Sequence, residues 1–140
     1  MRTLDNQRVI ITGASSGIGE ALAMQLGSCG CRIVINARRD AELKRVAAGV
    51  IAAGGQCQTV TGDITRPETR KRLLETAASQ FGGVDILINN AGIGAMGRFD
   101  VASEQRLRQI FEVNFFAVTE MIRAALPMLK AGHEPVIVNL

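Results

Sequence analysis

The 140-residue chain has no tyrosine, no tryptophan, one histidine and three cysteines. Aromatic side chains make up 4% of it, the arginines are scattered, and the net charge is only +3. Without a basic stripe or interleaved aromatics, a nucleic-acid surface finds no support. The single histidine, His133, lies in the loop-like setting Ala131-Gly132-His133-Glu134-Pro135, with no neighbour in sequence that positions it for proton transfer. Cys29, Cys31 and Cys57 are odd in number and lack metal-ligand spacing. That excludes a disulfide framework and a cysteine metal site, and points to free, mostly buried thiols in a reducing cytoplasm. No apolar run approaches the roughly 18 residues of a membrane span. The polar start Met1–Arg8 does not read as a signal peptide.

Hydrophobic residues form 47% and charged residues 21% of the chain. This balance folds one domain, residues 1–140, around a core. Short apolar runs alternate with helical patterns throughout. Arg8–Thr12, Cys31–Ala37, Gln56–Thr61, Val84–Asn89 and Val136–Leu140 read as strands. Helices are expected over Gly17–Gly30, with Ile18, Leu22 and Leu26 on one face, and over Asp40–Ala53, with Leu43, Val46, Ala47, Val50 and Ile51 inward. Two more are expected over Glu68–Phe81, which has Pro67 near its first turn, and about Ser103–Lys130. Gly54-Gly55 and Gly82-Gly83 terminate the second and third helices. Such alternation predicts an α/β protein with a doubly wound parallel sheet, Rossmann-like, in strand order 3-2-1-4-5, because crossovers are right-handed. The sequence stops within the fifth strand, so the domain is expected to be incomplete there.

Thr12-Gly13-Ala14-Ser15-Ser16-Gly17-Ile18-Gly19 is the most informative stretch. A strand precedes it and a helix follows. A glycine turn at a helix N-terminus cradles a diphosphate, because the first amide groups are unpaired and the helix dipole favours an anion. The spacing Gly-x-x-x-Gly-x-Gly differs from the common dinucleotide fingerprint and from the nucleoside-triphosphate loop. Gly13 permits the turn, Gly17 opens the phosphate's approach, and Gly19 allows close helix–strand packing. Ile18 is placed under the diphosphate. Ser15 and Ser16 either contact phosphate or ribose or cap the helix. In a doubly wound sheet the ligand lies beyond the carboxyl ends of the strands, so 13–19, 37–39, 62–64 and 89–94 converge on one crevice.

The glycine stretch, with Asp63-Ile64, Asn89-Asn90-Ala91-Gly92 and Asn114, resembles the first half of a short-chain dehydrogenase/reductase, and the likeness spans the whole chain. The resemblance implies a nicotinamide cofactor and hydride transfer to or from a small-molecule carbonyl or alcohol. It implies that Asp63 bonds the adenine amino group and that Ile64 packs on the ring. Asp63 also reads as a turn-forming residue before Pro67. Asn90, Ala91 and Gly92 let the ribose lie against the backbone, whereas Asn89 braces the sheet. Asn114 is a lone amide within Phe111–Phe116. Burying an unpaired amide costs about 1–3 kcal/mol, so a partner is expected. The resemblance gives Asn114 a catalytic role, bending the helix and holding a water in a proton relay.

The second strand ends in Asn36-Ala37, where an NAD site usually places a carboxylate, and Arg38-Arg39 follow. The planar fork of Arg38 suits a 2′-phosphate, with Arg39 second to it, so NADP(H) is expected over NAD(H). Asp40 reads as a first-turn acid of the next helix. The helix Ser103–Lys130 is apolar almost all round, which predicts the sheet on one side and, as in relatives, a second subunit on the other. The family's chemistry also needs a serine, a tyrosine and a lysine four residues after it. No tyrosine is present, Lys44, Lys71 and Lys130 lie on no fitting segment, and the serine is expected past Leu140. Two readings remain open: the cofactor half of an NADP(H)-dependent oxidoreductase, inactive by itself, or a non-catalytic NADP(H)-binding or interaction module.

Overall fold

A computed structural model describes residues 3–140. The apolar runs form a parallel sheet in the order β3-β2-β1-β4-β5, built from β1 (Arg8–Thr12), β2 (Arg32–Ala37), β3 (Gln56–Thr61), β4 (Ile86–Asn89) and β5 (Val136–Asn139). The connecting helices are α1 (Gly17–Ser28), α2 (Asp40–Ala52), α3 (Pro67–Phe81), α4 (Glu104–Phe111) and α5 (Ala117–Lys130). In register, Ile10 lies opposite Val34 of β2 and Leu87 of β4. Because side chains alternate along a strand, β1 feeds two cores. Val9 and Ile11 pack with Ile33, Ile35, Leu43, Val46 and Val50 on the side of α1 and α2. Ile10 packs with Val34, Leu73, Leu87, Met121 and Leu129 on the side of α3 and α5. Each of these large side chains contributes about 1.5–3 kcal/mol by leaving water. No helix among the described residues is long and apolar enough to cross a membrane.

Three details differ from the sequence expectation. On α1 the buried face is Gly19, Ala23 and Gly27, while Ile18 is exposed. Small size decides this, since a Cβ on Gly27 would meet Val50 Cγ1 of α2 at 2.8 Å. Ile51 faces solvent rather than the core. The expected single helix is two helices, interrupted at Asn114 where the resemblance implied a bend: Ser103 caps α4 by accepting from the Arg106 amide, and a π-helical turn over Glu112–Phe116 separates α4 from α5. The Thr119 hydroxyl reaches back to the carbonyls of Phe115 and Phe116, helping to satisfy groups that such a turn frees. Of these segments only α5 has buried residues, Ala117, Met121, Ala125 and Leu129, whereas α4 and the π-helical turn have none.

The amino ends of the strands are locked by one carboxylate. Asp85 accepts from the Arg8 amide (2.9 Å), Arg8 Nε (2.8 Å), Arg8 Nη2 (2.6 Å) and the His133 amide (2.7 Å). Burial opposes its charge, but these donors outweigh that and hold the Asp85 carboxyl well below the usual carboxylate range. His133 thus serves through its backbone, at the sheet end opposite the crevice.

Candidate functional site

The carboxyl ends of β1 to β4 open on a cleft of about 730 Å³. Gly13, Ser15, Ser16, Ile18, Arg38, Arg39, Asp63, Ile64, Asn90, Ala91 and Gly92 all line it. Gly17 and Gly19 support it from the turn. Gly17 has a φ of +59°, and a Cβ there would meet nothing within 4 Å, so the backbone is open to an incoming group. Gly19 is buried, and a Cβ on it would collide with the Asn90 amide and the Gly13 carbonyl.

A buried hydroxyl joins the two motifs. Thr12 Oγ1 accepts from the amides of Asn90 (3.1 Å) and Ala91 (3.0 Å). Asn90 Nδ2 donates in return to the carbonyls of Thr12 (3.0 Å) and Gly13 (2.9 Å). The Asn90 amino group is therefore committed to the turn. Asn36, also buried, donates to the Val60 carbonyl at 2.8 Å and ties β2 to β3. Sequence reasoning gave neither Thr12 nor Asn36 a role. The available signal was a polar side chain at the end of an otherwise apolar strand. Asn89 donates to Asn139 Oδ1 across to β5 at 2.9 Å, as a sheet brace does.

The glycine turn presents donors to the cleft. Ser16 is the N-cap of α1, yet its side chain makes no capping bond. Instead Ser15 Oγ and Ser16 Oγ both accept from Arg39 Nη2, at 3.4 and 3.3 Å. The first amides of α1 stay free of a side-chain cap, which suits an anion. Arg38 makes no ion pair among the described residues, whereas Arg39 also reaches Glu42 Oε1 at 3.3 Å. Asp40 opens α2, accepting from Thr61 Oγ1 at 2.6 Å and pairing with Lys44 at 2.7 Å, and it does not line the cleft.

Asp63 forms a turn, its Oδ1 accepting from the Thr65 amide (2.9 Å) and hydroxyl (2.8 Å). Its carboxyl is held below its ordinary value: burial works against this, but the Thr65 bonds and the charges of Arg38 and Arg66 prevail. The group stays an acceptor facing the cleft. Arg108, Gln109, Glu112 and Val113 close the far wall, and sequence reasoning assigned none of them. Asn114 is exposed rather than buried. It pairs in both directions with one backbone residue, Nδ2 to the Ile93 carbonyl and Oδ1 to the Ile93 amide, each at 2.9 Å. Arg106 Nη2 holds the next carbonyl, that of Gly94, at 2.6 Å. The π-helical turn thereby anchors the loop that borders the cleft.

Residues 7–140 match the family model described as short chain dehydrogenase. The chain is 40% identical over 135 residues to 1-deoxy-11-beta-hydroxypentalenate dehydrogenase of Streptomyces exfoliatus, covering 94% of this chain and 49% of that one. It is 37% identical over 134 residues to an uncharacterised oxidoreductase of Listeria innocua, covering 94% and 54%. Among solved structures, a putative dehydrogenase from Xanthomonas campestris superimposes with a TM-score of 0.92 at 31% identity, over 100% of this chain and 55% of that one. L-Sorbose reductase from Gluconobacter frateurii, complexed with NADPH and L-sorbose, gives 0.86 at 32% identity over 94% and 51%. The chain spans about half the length of these relatives.

Proposed function

Because the chain belongs to the short-chain dehydrogenase family, we propose that its cleft holds NADP(H) and serves hydride transfer between the nicotinamide and a small-molecule carbonyl or alcohol. The observation that carries the cofactor choice is the end of β2. Ala37 stands where a carboxylate would repel a 2′-phosphate, and Arg38, free of any ion pair among the described residues, follows it. The sorbose reductase, which has a closely similar fold, was solved with NADPH.

The residues present fit such a cofactor. The uncapped amides of α1 and the open space at Gly17 receive the diphosphate. Arg38 and Arg39 take the 2′-phosphate, Asp63 and Ile64 the adenine, and the Asn90–Gly92 backbone the nicotinamide ribose. Bound there, the cofactor supplies or accepts the hydride. Asn114 acts here through Ile93, fixing the loop beside that ribose, and positions a water for proton relay. These 140 residues contain no tyrosine, so they bind and orient the cofactor without a phenol to move the substrate's proton. By themselves they act as an NADP(H)-binding module. Exposed Phe111, Phe115 and Phe116 on α4 and the π-helical turn are the face for a second copy.

Titration of the chain with NADPH and NADH, followed by reduced-nicotinamide fluorescence, tests the reading. Tighter NADPH binding is expected, with no ketone-dependent NADPH oxidation above a heat-treated control. Equal affinity for the two cofactors would overturn the cofactor choice.

A further inference from the structure

The two arginines after β2 are not equivalent. Arg38 makes no ion pair among the described residues and acts on the Asp63 carboxylate only through its charge, but the Arg39 guanidinium is divided. Its Nη2 faces Ser15 Oγ and Ser16 Oγ, and its Nη1 faces Glu42 Oε1 at 3.3 Å. A guanidinium grips a phosphate best through two parallel N–H bonds, so an anion entering beside the serines must compete with Glu42 for Arg39. The other acid in the first turn of α2 is already engaged, since Asp40 is held by Thr61 and Lys44. Glu42 itself does not line the cleft.

Resting on the NADP(H) reading, we propose that Glu42 tunes cofactor selectivity: by holding one side of Arg39 it weakens the cleft's grip on a 2′-phosphate, and so narrows the preference for NADP(H) over NAD(H). Glu42 is a positioning residue that acts through Arg39. Both partners are partly exposed, with side-chain exposures of 56% and 39%, so solvent screens the pair and the expected effect is modest, about two- to fivefold in affinity.

Calorimetric titration of the chain with adenosine 2′,5′-bisphosphate and adenosine 5′-monophosphate isolates this end of the cleft. Glu42→Gln is expected to tighten the bisphosphate about two- to fivefold and leave the monophosphate unchanged. Glu75→Gln removes the same charge from a carboxylate that pairs with Lys71 on α3, outside the cleft lining, and no gain is expected. In an Arg39→Gln background the Glu42→Gln gain is expected to vanish. Equal gains for both probes, a matching gain from Glu75→Gln, or a gain that survives Arg39→Gln would each overturn the proposal. A merely structural role for Glu42 in the first turn of α2 would shift the melting temperature and both probes alike. The two readings separate cleanly. If the unaltered chain prefers the bisphosphate and Glu42→Gln changes nothing, the Glu42 role falls and NADP(H) stands. If the unaltered chain shows no preference and Glu42→Gln creates one, the NADP(H) reading falls and the Glu42 role stands. If neither shows a preference, both fall.

Discussion

Thr12 and Asn90 lie 78 positions apart in sequence and hold each other by two hydrogen bonds, from the Asn90 amide to Thr12 Oγ1 and from Asn90 Nδ2 to the Thr12 carbonyl. The pair fixes the glycine turn after β1 against the loop after β4. Thr12→Val keeps the shape but removes the acceptor of two backbone amides, those of Asn90 and Ala91. A loss of about 2–4 kcal/mol is expected from leaving these donors unpaired. Urea unfolding checks it, and Thr12→Ser is expected to recover most of the loss.

Gly13 and Gly17 separate stability from binding. A Cβ on Gly13 would stand 2.6 Å from Ala91 Cα at a φ of +68°. Gly13→Ala is therefore expected to cost about 3 kcal/mol through clash and left-handed strain together. Gly17→Ala meets no neighbour, so its stability cost is only about 1–2 kcal/mol, yet on the proposed NADP(H) reading the methyl stands in the path of the diphosphate. Melting temperature and NADPH affinity measured on both variants are expected to show opposite rankings.

Arg38→Asp replaces the unpaired cation beside Ala37 with a repelling charge. NADPH affinity is expected to fall by about 10- to 100-fold, the worth of one charge-assisted contact, with NADH changed far less. Parallel fluorescence titrations decide it. Equal losses for the two cofactors would remove Arg38 from the phosphate site.

The Asp85 clamp predicts a pH dependence. Its folded carboxyl titrates below the ordinary value near 3.9. Its contribution is thus fully present above about pH 4–5 and is lost as pH falls through the folded value. Asp85→Asn is expected to lower stability at pH 7 by about 2–3 kcal/mol, since Arg8 loses its partner but keeps some solvent contact. Denaturant unfolding between pH 2 and 7 is expected to give a flatter acid limb for the variant.

Phe111 and Phe116 are 61% and 52% exposed and border a groove with Leu107. If this face joins two copies, sedimentation velocity shows a species heavier than the 14.9 kDa monomer, and Phe116→Asp returns it to the monomer. A monomer at all concentrations would refute that interface.

The strands, the order of the sheet and most cleft residues were legible because they rest on short-range signals. Ile10, Val34 and Leu87 sit in apolar runs of strand length, and Gly13 to Gly19 carry their spacing on their face. Other features were hidden because they depend on a neighbour distant in sequence. The buried stripe of α1 is small rather than hydrophobic, since Gly27 must admit Val50. The resemblance placed a bend of the long helix at Asn114, and the π-helical turn lies there, but the partners that sustain it, Ile93 for Asn114 and the freed carbonyls for Thr119, do not show in the sequence.

By itself the sequence determined the parallel α/β fold, the family and the crevice, since periodicity and the glycine motif are properties of contiguous residues. Only the tertiary structure decided how the polar groups were shared. It gave the Asn90 amino group to the turn after β1, Asp40 to Thr61 and Lys44, and Arg39 to both the serines and Glu42. A donor or acceptor can be spent only once or twice, and which partner takes it depends on distances that exist only in the folded chain.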